Sequence, residues 1–325
     1  MESIKWGMIG CGDVTEVKSG PAFNKVPNSS LVAVMRRDSE KAKDYAQRHG
    51  VPKWYADAQQ LIDDPEVNAI YIATPPAQHE AYALMAFAAG KPVYVEKPMT
   101  LNAASAIRMK TAAAKTGVKL CVAHYRRAQP LFLKIKALLD GQEIGNVRLV
   151  QLKMFQSQDS NIIANSASNW RLNPAISGGG LFHDLAPHQL DLMVFFFGEW
   201  TSASGLSLNQ SGIGQADDLV TGQVLFKNGV VFNGSWCFSV SAQDKADLCE
   251  IIGTAGKISF QVFGQQIKLT KNGIAKVYDF SPLEHVQQPM IEKVTTYFLT
   301  QGENPCAAEE AILSMQLMNC FTAKA

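Results

Sequence analysis

The sequence predicts an α/β protein with two domains: a doubly wound parallel sheet, followed by an α+β domain whose sheet is mostly antiparallel. Two observations lead to this prediction. Strand and helix patterns alternate without interruption from residue 4 to residue 123, which is typical of a parallel sheet flanked by helices. Beyond residue 200 the pattern changes to successive β-strands joined by turns. We therefore expect the first domain over residues 1–123 and the second over residues 124–325.

Size and composition indicate a globular protein with room for two hydrophobic cores. The chain has 325 residues, 47% hydrophobic and 18% charged, and a formal net charge of +1. This small charge argues against a general binder of nucleic acids or membranes. The six cysteines have neither C-x-x-C spacing nor a disulfide-framework pattern, which indicates free thiols in a reducing compartment. Without a signal peptide or a spanning apolar run, we predict a cytoplasmic protein.

A glycine turn directly follows the first strand pattern, which covers residues 4–9. Gly10 permits a tight turn, and Gly12 lets the backbone approach a pyrophosphate. The helix predicted over 13–25 would offer free amide groups and its positive dipole end to phosphates. A G-x-G turn between strand and helix predicts a dinucleotide site of the Rossmann type, although threonine replaces the third glycine at position 15. The expected cofactor contacts in this turn are Gly10, Cys11, Gly12, Asp13 and Val14.

The residues after the second strand, predicted over 31–35, bear on the choice between cofactors. A carboxylate here binds the ribose hydroxyls of NAD, whereas arginine accepts the 2′-phosphate of NADP. Arg36 comes first, followed by Arg37, and Asp38 is placed to cap the next helix. NADP(H) is therefore the preferred cofactor. NAD(H) stays possible if Asp38 turns back to the ribose and the arginines are solvated.

The remaining strands of the first domain end in polar loops that should share one edge of the sheet. Proline forbids helix at the preceding residue, so Pro98 places Lys97 at the end of the strand that begins at Val93. A lysine at that position points into the crevice where such sheets bind ligands, although a surface lysine at a turn is the alternative. Helices are predicted over 57–63, 79–89 and 103–115, and strands over 69–73 and 119–123. The loops expected at the edge are 10–15, 36–38, 74–79, 96–98 and 124–127.

The second domain is predicted to begin with a helix over 130–139 and a strand over 147–156. Residues 227–229 read Lys-Asn-Gly, a good hairpin signal between strands predicted over 220–226 and 230–238. This hairpin is also suited to an interface between subunits. Further strands are expected near 248–253, 257–262, 266–271 and 275–280, followed by two closing helices.

Asp184, His188 and Asp191 have helical spacing and should share one face of a helix. This helix should begin close to Pro187, since a proline deeper inside would kink it. Histidine beside a carboxylate forms a general acid/base pair, and the preceding glycines at 178–180 would let a ligand approach. A histidine packed at a domain boundary is one alternative, and a metal site on the three residues is another. Nothing else supplies metal ligands, so we predict no metal. His183 is expected to be structural.

Several motifs together resemble the Gfo/Idh/MocA oxidoreductase family, named for glucose–fructose oxidoreductase and inositol dehydrogenase. They are the G-x-G turn, ATPP at 73–76, EKP at 96–98, NWR at 169–171 and GGG-x3-D-x3-H-x2-D at 178–191. The resemblance covers essentially the whole chain. It implies a Rossmann domain, a second domain with a large open sheet often used for oligomer contacts, and a cis Lys97–Pro98 peptide.

The resemblance also implies a catalytic trio. Lys97 would polarise the reacting oxygen, His188 would exchange the hydroxyl proton, and Asp184 would orient the substrate and tune His188. Arg127, Trp170 and Arg171 match family positions near cofactor or substrate, although Trp170 at a domain junction can equally be packing. The remaining expected cofactor contacts are Arg36, Arg37, Thr74, Pro75, His79, Glu96 and Lys97; the expected substrate contacts are Lys97, His124, Tyr125, Trp170, Asp184 and His188.

These observations predict an NAD(P)-dependent oxidoreductase that transfers a hydride between nicotinamide and a secondary hydroxyl or ketone of a sugar, polyol or similar cyclic substrate. The partners expected are a small-molecule substrate and a second copy of the chain, in a homodimer or homotetramer through the C-terminal sheet. Three alternatives stay open. They are an NAD-dependent glycosidase, a non-catalytic nucleotide-sensing regulator, and a dehydrogenase of aromatic dihydrodiols. The last would need a mainly apolar pocket, which Phe155, Phe182, Trp236 and Phe238 leave open.

Overall fold

The computed structural model describes residues 2–157, 173–300 and 302–323. The chain forms two compact units. The first comprises Met1–Ala128 and Leu283–Ile312, and the second comprises Gln129–Pro282 and Leu313–Ala325. The first unit therefore takes in residues 283–312, a stretch that the sequence pattern groups with the second domain.

The first unit contains a six-stranded sheet in the order β3-β2-β1-β4-β5-β6, and every neighbouring pair is parallel. This confirms the predicted Rossmann sheet. The strand β3 is an addition, since its three residues, Lys53–Tyr55, are too few to give a pattern. The strands are β1 (Ile4–Ile9), β2 (Ser29–Met35), β3 (Lys53–Tyr55), β4 (Ala69–Ile72), β5 (Val93–Val95) and β6 (Leu120–Val122).

The helices of this unit agree with the predicted ones except in one place. The helix predicted over 13–25 is wrong, because it stops at Val17 and is followed by a separate 3-10 turn at Gly20–Asn24. Pro21 has no N–H to continue the helical hydrogen bonds, which accounts for the interruption. The helices are α1 (Asp13–Val17), α2 (Ser39–His49), α3 (Ala58–Asp63), α4 (His79–Ala88), α5 (Ala103–Thr116) and, from the carboxyl-terminal stretch, α9 (Gln288–Leu299).

The second unit contains an eight-stranded sheet in the order β14-β13-β12-β11-β7-β10-β9-β8. Only β7 and β10 pair in parallel among these strands, so the predicted mostly antiparallel sheet is confirmed. The predicted hairpin is present, with Gly229 at φ 84° in its turn. The strands are β7 (Val147–Phe155), β8 (Trp200–Leu208), β9 (Leu219–Phe226), β10 (Val231–Cys237), β11 (Ala246–Gly253), β12 (Lys257–Phe260), β13 (Gln266–Lys271) and β14 (Ile274–Asp279).

One face of the eight-stranded sheet is buried by helices of its own unit. The Trp236 indole N–H donates to Gln189 Oε1 over 3.2 Å, and its ring meets Phe182 edge-on at 5.1 Å. Phe182, Trp236 and Phe238 are therefore part of the core and not available as pocket walls. The helices are α6 (Pro130–Asp140), α7 (Pro174–Ser177), α8 (Gly180–Phe197) and α10 (Ala308–Thr322), whose first residues belong to the first unit.

The opposite face of this sheet carries an apolar row that crosses four strands. Ile252 pairs with Leu149, Leu149 with Val231, and Val231 with Leu225. Val231 is 37% exposed and Leu225 is 40% exposed. Side chains alternate between faces along a strand, so all four belong to the face opposite the buried Val150 and Phe232.

None of the helices in the described ranges is both long enough and apolar enough to cross a lipid bilayer. All six cysteines are free, and four of them are buried.

Candidate active site

The glycine turn is held tightly against the neighbouring strands. The amides of Gly10 and Cys11 both donate to the Met35 carbonyl, over 2.9 and 3.2 Å. Gly10 has φ +98°, and a Cβ there would lie 2.8 Å from the amide nitrogen of Thr74. Only glycine satisfies both conditions. Thr15, at the third glycine position, is buried and bonds the Gly12 amide through Oγ1 at 3.0 Å, so it closes the turn.

Two features of this turn fit a dinucleotide. A Cβ added to Gly12 would come no closer than 4.0 Å to another atom, so the backbone there is open to an approaching phosphate. The buried Thr74 hydroxyl beside Gly10 has no hydrogen-bond partner within the described ranges and can bond a ligand. Burial raises the pKa of the Cys11 thiol to about 11, so the thiol is protonated at neutral pH. Asp13 and Val14 begin α1; Asp13 is exposed and Val14 is partly exposed.

Arg36 and Asp38 take different positions after β2. The Arg36 guanidinium donates to the Cys11 carbonyl over 3.2 Å and so lies on the glycine turn. Asp38 is the N-cap of α2, as predicted: Oδ1 accepts from the Lys41 amide at 3.2 Å. This bond lowers the pKa of the Asp38 carboxyl. Arg37 is exposed.

Glu96 is a buried carboxylate with three donors. Its Oε1 accepts from the Tyr71 hydroxyl at 2.7 Å and from Gln287 Nε2 at 2.6 Å. Its Oε2 accepts from the Lys97 amide at 3.1 Å. All partners belong to the first unit, although Gln287 comes from the carboxyl-terminal stretch. Glu96, predicted as a cofactor contact, therefore fixes the backbone on one side of Lys97.

His79 fixes the backbone on the other side of Lys97. The ring is fully buried, with Nε2 2.7 Å from the Thr74 carbonyl oxygen. Nδ1 lies 3.1 Å from the Pro98 carbonyl oxygen and 3.2 Å from that of Met99. Burial lowers the pKa of His79, while the carbonyl oxygens act in the opposite direction. Both ring nitrogens thus lie within hydrogen-bond distance of protein carbonyl oxygens, and the ring connects the loop after β4 to the loop that carries Lys97.

Lys97 itself is the second residue after β5, at the strand end as predicted, and it is partly exposed. The Lys97–Pro98 peptide is cis, as the family resemblance implies. Contacts run from Arg36 to the glycine turn, from there to Thr74, and through His79 to Pro98. The structure therefore brings four of the five predicted strand-end loops together at one edge of the sheet.

The fifth loop, after β6, is a buried 3-10 turn at Tyr125–Ala128. His124 and Tyr125 are both buried. Arg127 Nη1 donates to Glu310 Oε1 over 2.6 Å, within the first unit. The Arg127 side chain is only 3% exposed, whereas that of Glu310 is 39% exposed, so the ion pair is buried on the arginine side alone. Arg127 thus pairs with a protein carboxylate, and its predicted role near cofactor or substrate stays a prediction.

In the second unit, Asp184, His188 and Asp191 all belong to α8 and share a face, as predicted. Asp184 is partly exposed, whereas His188 and Asp191 are 6% and 1% exposed. The imidazole of His188 meets the Phe263 ring edge-to-face, with centroids 5.8 Å apart. The expectation that this helix begins near Pro187 is wrong, because α8 begins at Gly180. Every side chain from Leu185 to Val194 is buried, and this packing outweighs the lost hydrogen bond at Pro187.

Gly179, directly before α8, serves the protein's own packing. A Cβ on Gly179 would lie 2.2 Å from His183 Nδ1, so the imidazole occupies that space. His183 Nδ1 is 3.2 Å from the Gly179 carbonyl oxygen, and burial lowers the pKa of His183 to about 4. His183 is structural, as expected. The space beside Gly179 is filled by this ring, whereas the sequence pattern predicts that the glycines leave space for a ligand.

Trp170 and Arg171, together with Asn169, lie outside the described residues. Within the described ranges, no three or more His, Cys, Asp or Glu side chains form a group that could hold a metal ion. Two residues beside the site were missed by sequence reasoning: Gln287 on Glu96 and Phe263 on His188. Neither belongs to a motif, and only long-range contacts reveal them.

Comparisons with known proteins agree with this architecture. A family model described as "Oxidoreductase family, NAD-binding Rossmann fold" matches residues 4–124, and the GFO/IDH/MocA C-terminal domain matches residues 132–259. Oxidoreductase P35 of Formosa agariphila is 50% identical over 322 residues, 99% of each chain. Trans-1,2-dihydrobenzene-1,2-diol dehydrogenase of Mus musculus is 32% identical over 286 residues, 85% of this chain and 80% of the relative.

Solved structures share the fold at lower identity. An aldose-aldose oxidoreductase from Caulobacter crescentus, complexed with glycerol, superimposes with a TM-score of 0.86 at 22% identity, covering 98% of this chain and 96% of the other. A levoglucosan dehydrogenase, in complex with NADH and levoglucosan, gives the same TM-score and coverage at 20% identity.

Proposed function

Because the chain belongs to the Gfo/Idh/MocA oxidoreductase family, we propose that it is an NADP-preferring dehydrogenase or reductase acting on a secondary hydroxyl or ketone of a cyclic polyhydroxylated substrate. The Rossmann unit binds a nicotinamide dinucleotide. The observation that carries the proposal is the placement of Lys97 at the sheet edge that holds the glycine turn, with its backbone fixed on both sides.

The residues have complementary tasks in this proposal. A bound nicotinamide supplies or accepts the hydride. The ammonium of Lys97 stabilises negative charge on the substrate oxygen, and His188 takes the hydroxyl proton in oxidation and returns it in reduction. Asp184, one helical turn before His188, orients the substrate and the imidazole. Gly10, Gly12 and Thr74 hold the dinucleotide through backbone and hydroxyl groups.

The proposed preference for NADP over NAD rests on the positive charge that follows β2. The Arg36 guanidinium lies on the glycine turn, where its planar fork suits a phosphate. Asp38, the first carboxylate after β2, caps α2 and forms an ion pair with Lys41 at 3.2 Å. A ribose 2′-phosphate therefore meets a cation, whereas a free 2′-hydroxyl lacks its usual acidic partner.

The test is a screen of the purified protein with NADP⁺ and NAD⁺ against sugars, glycosides, inositols and aromatic trans-dihydrodiols, followed at 340 nm and by product analysis. We expect reduction of NADP⁺ by a sugar or polyol. Faster turnover of dihydrodiols would favour the second candidate, which the dihydrodiol dehydrogenases at about a third identity support. Glycoside cleavage without net absorbance change would indicate a glycosidase, and no turnover with any class would indicate a nucleotide sensor.

The open sheet is the proposed site of homodimer or homotetramer formation. Its outward apolar row, Ile252, Leu149, Val231 and Leu225, crosses four strands. An apolar surface of this kind is typical of an interface between subunits.

Replacing Val231 and Leu225 together with lysine is expected to convert the oligomer to monomers, because four charges per dimer would be buried in the interface. Light scattering after gel filtration measures this directly. Ile274→Lys is the matched control, since Ile274 is 77% exposed on β14 and lies outside the row. An unchanged molar mass in the double variant would place the interface elsewhere.

A further inference from the structure

The turn between β12 and β13 contacts His188, although 75 residues separate Phe263 from it in the chain. Phe263 meets the His188 ring edge-to-face, with an interplanar angle of 87°. Phe263 is half-buried: part of its ring contacts His188, and part is exposed to solvent. An aromatic ring in this position restricts the orientations that the imidazole can take.

The turn is itself fixed by a carboxylate from the neighbouring strand β11. Asp247 Oδ1 accepts from the Val262 amide at 2.9 Å, and Asp247 Oδ2 accepts from the Phe263 amide at 2.7 Å. Bonds to an ionised acceptor are shorter and stronger than neutral ones. Two successive amides held by one carboxylate leave the turn little freedom. The position of the Phe263 ring therefore depends on Asp247.

We propose that Phe263 is a positioning residue that holds the imidazole of His188 in its proton-exchanging orientation, and that Asp247 sets the turn from which Phe263 acts. This inference rests on the proposed function, in which His188 exchanges the substrate proton. All three residues belong to the second unit, so the relation is internal to it. Small displacements of a proton-transfer group lower the reaction rate, so a ring that restricts the His188 imidazole should raise the rate.

The kinetic test uses Phe263→Ala, Asp247→Ala and the double variant. Phe263→Ala is expected to lower kcat about 10- to 100-fold while KM changes less than about 3-fold. Phe263→Tyr, which keeps a ring, is expected to retain wild-type turnover. If Asp247 acts through Phe263, the double variant loses no more than Phe263→Ala alone. Additive losses, or a raised KM with unchanged kcat, would overturn the proposal.

Asp218 supplies a matched control on the same sheet. Its two carboxylate oxygens accept from the amides of Gln210 and Ser211, each over 2.9 Å, so Asp218→Ala removes the same kind of clamp from a turn that lacks Phe263. We expect Asp218→Ala to keep kcat within about 2-fold of wild type. If kcat fell equally in Asp218→Ala and Asp247→Ala, the effect would be due to a general loss of rigidity in the protein and not to the position of Phe263. Asp247→Asn, which keeps one acceptor, replaces Asp247→Ala if that variant does not fold.

A second readout does not depend on turnover. In protein labelled at histidine, the His188 ring signal is assigned by its loss in His188→Asn and is shifted by the ring current of Phe263. Phe263→Ala and Asp247→Ala should move this signal in the same direction, and Asp218→Ala should leave it in place. An unmoved signal in Phe263→Ala overturns the inference. Wild-type activity of His188→Asn, by contrast, would refute the proposed function itself.

Discussion

Lys97→Ala is expected to lower kcat by about 10³-fold while NADPH still binds with nearly wild-type affinity. The ammonium is proposed to act on charge that develops in the transition state, so its removal should affect the chemical step more than cofactor binding. Loss of one such donor typically costs 10²- to 10³-fold in kcat, and 10³-fold corresponds to about 4 kcal/mol. The backbone bonds to Glu96 and His79 do not involve the Lys97 side chain, so the loop should keep its shape.

Two measurements separate these effects: single-turnover hydride transfer at saturating cofactor, and fluorescence titration with NADPH. Lys91→Ala is the matched control, because Lys91 precedes β5 at the opposite end of the same strand and bonds the Asp64 carbonyl. We expect this control to turn over like the wild type. Full activity in Lys97→Ala would remove Lys97 from the mechanism, and a proportional loss of NADPH affinity would make it a cofactor ligand instead.

Arg36→Asp is expected to reduce kcat/KM for NADP⁺ by about two powers of ten and to change that for NAD⁺ far less. Hydrogen bonds to charged groups contribute roughly 1.5–3 kcal/mol, and the introduced carboxylate adds repulsion toward the 2′-phosphate. The same carboxylate can accept from a ribose hydroxyl, which favours NAD⁺. The weaker binding of the 2′-phosphate and the new bond to the ribose both shift the cofactor preference from NADP⁺ towards NAD⁺.

The check is a full set of kcat and KM values for both cofactors with one substrate. Lys43→Asp makes the same charge change at an exposed position on α2 and separates local from long-range electrostatics. An equal loss of kcat/KM with NADP⁺ and NAD⁺ would mean that Arg36 supports the glycine turn through the Cys11 carbonyl and does not bind the 2′-phosphate. In that outcome the NADP preference fails, while the oxidoreductase assignment stands.

Features that depend on neighbouring residues in the chain were predictable. Pro98 was enough to place Lys97 at a strand end, and the Asn-Gly pair at 228–229 was enough to place the hairpin. The cap of α2 by Asp38 is equally local. Turn geometry and capping are set by a few consecutive residues, so a single sequence contains the information.

Features that depend on tertiary packing were not predictable. Pro187 lies inside α8 because burial on all sides compensates for its missing hydrogen bond. β8 is rich in serine and threonine and largely exposed, so it gives no apolar alternation. Gln287 and Phe263 act on Glu96 and His188 from distant parts of the chain, and their partners follow from the fold alone.

The return of residues 283–312 to the first unit has a consequence for biosynthesis. When the ribosome has completed residue 128, all six strands of the parallel sheet exist, yet the carboxylate of Glu96 still lacks Gln287. The nascent nucleotide-binding half is then unfinished at the very loop that carries Lys97. The bond that completes this loop therefore forms only after residues 129–282 of the second unit have been synthesised.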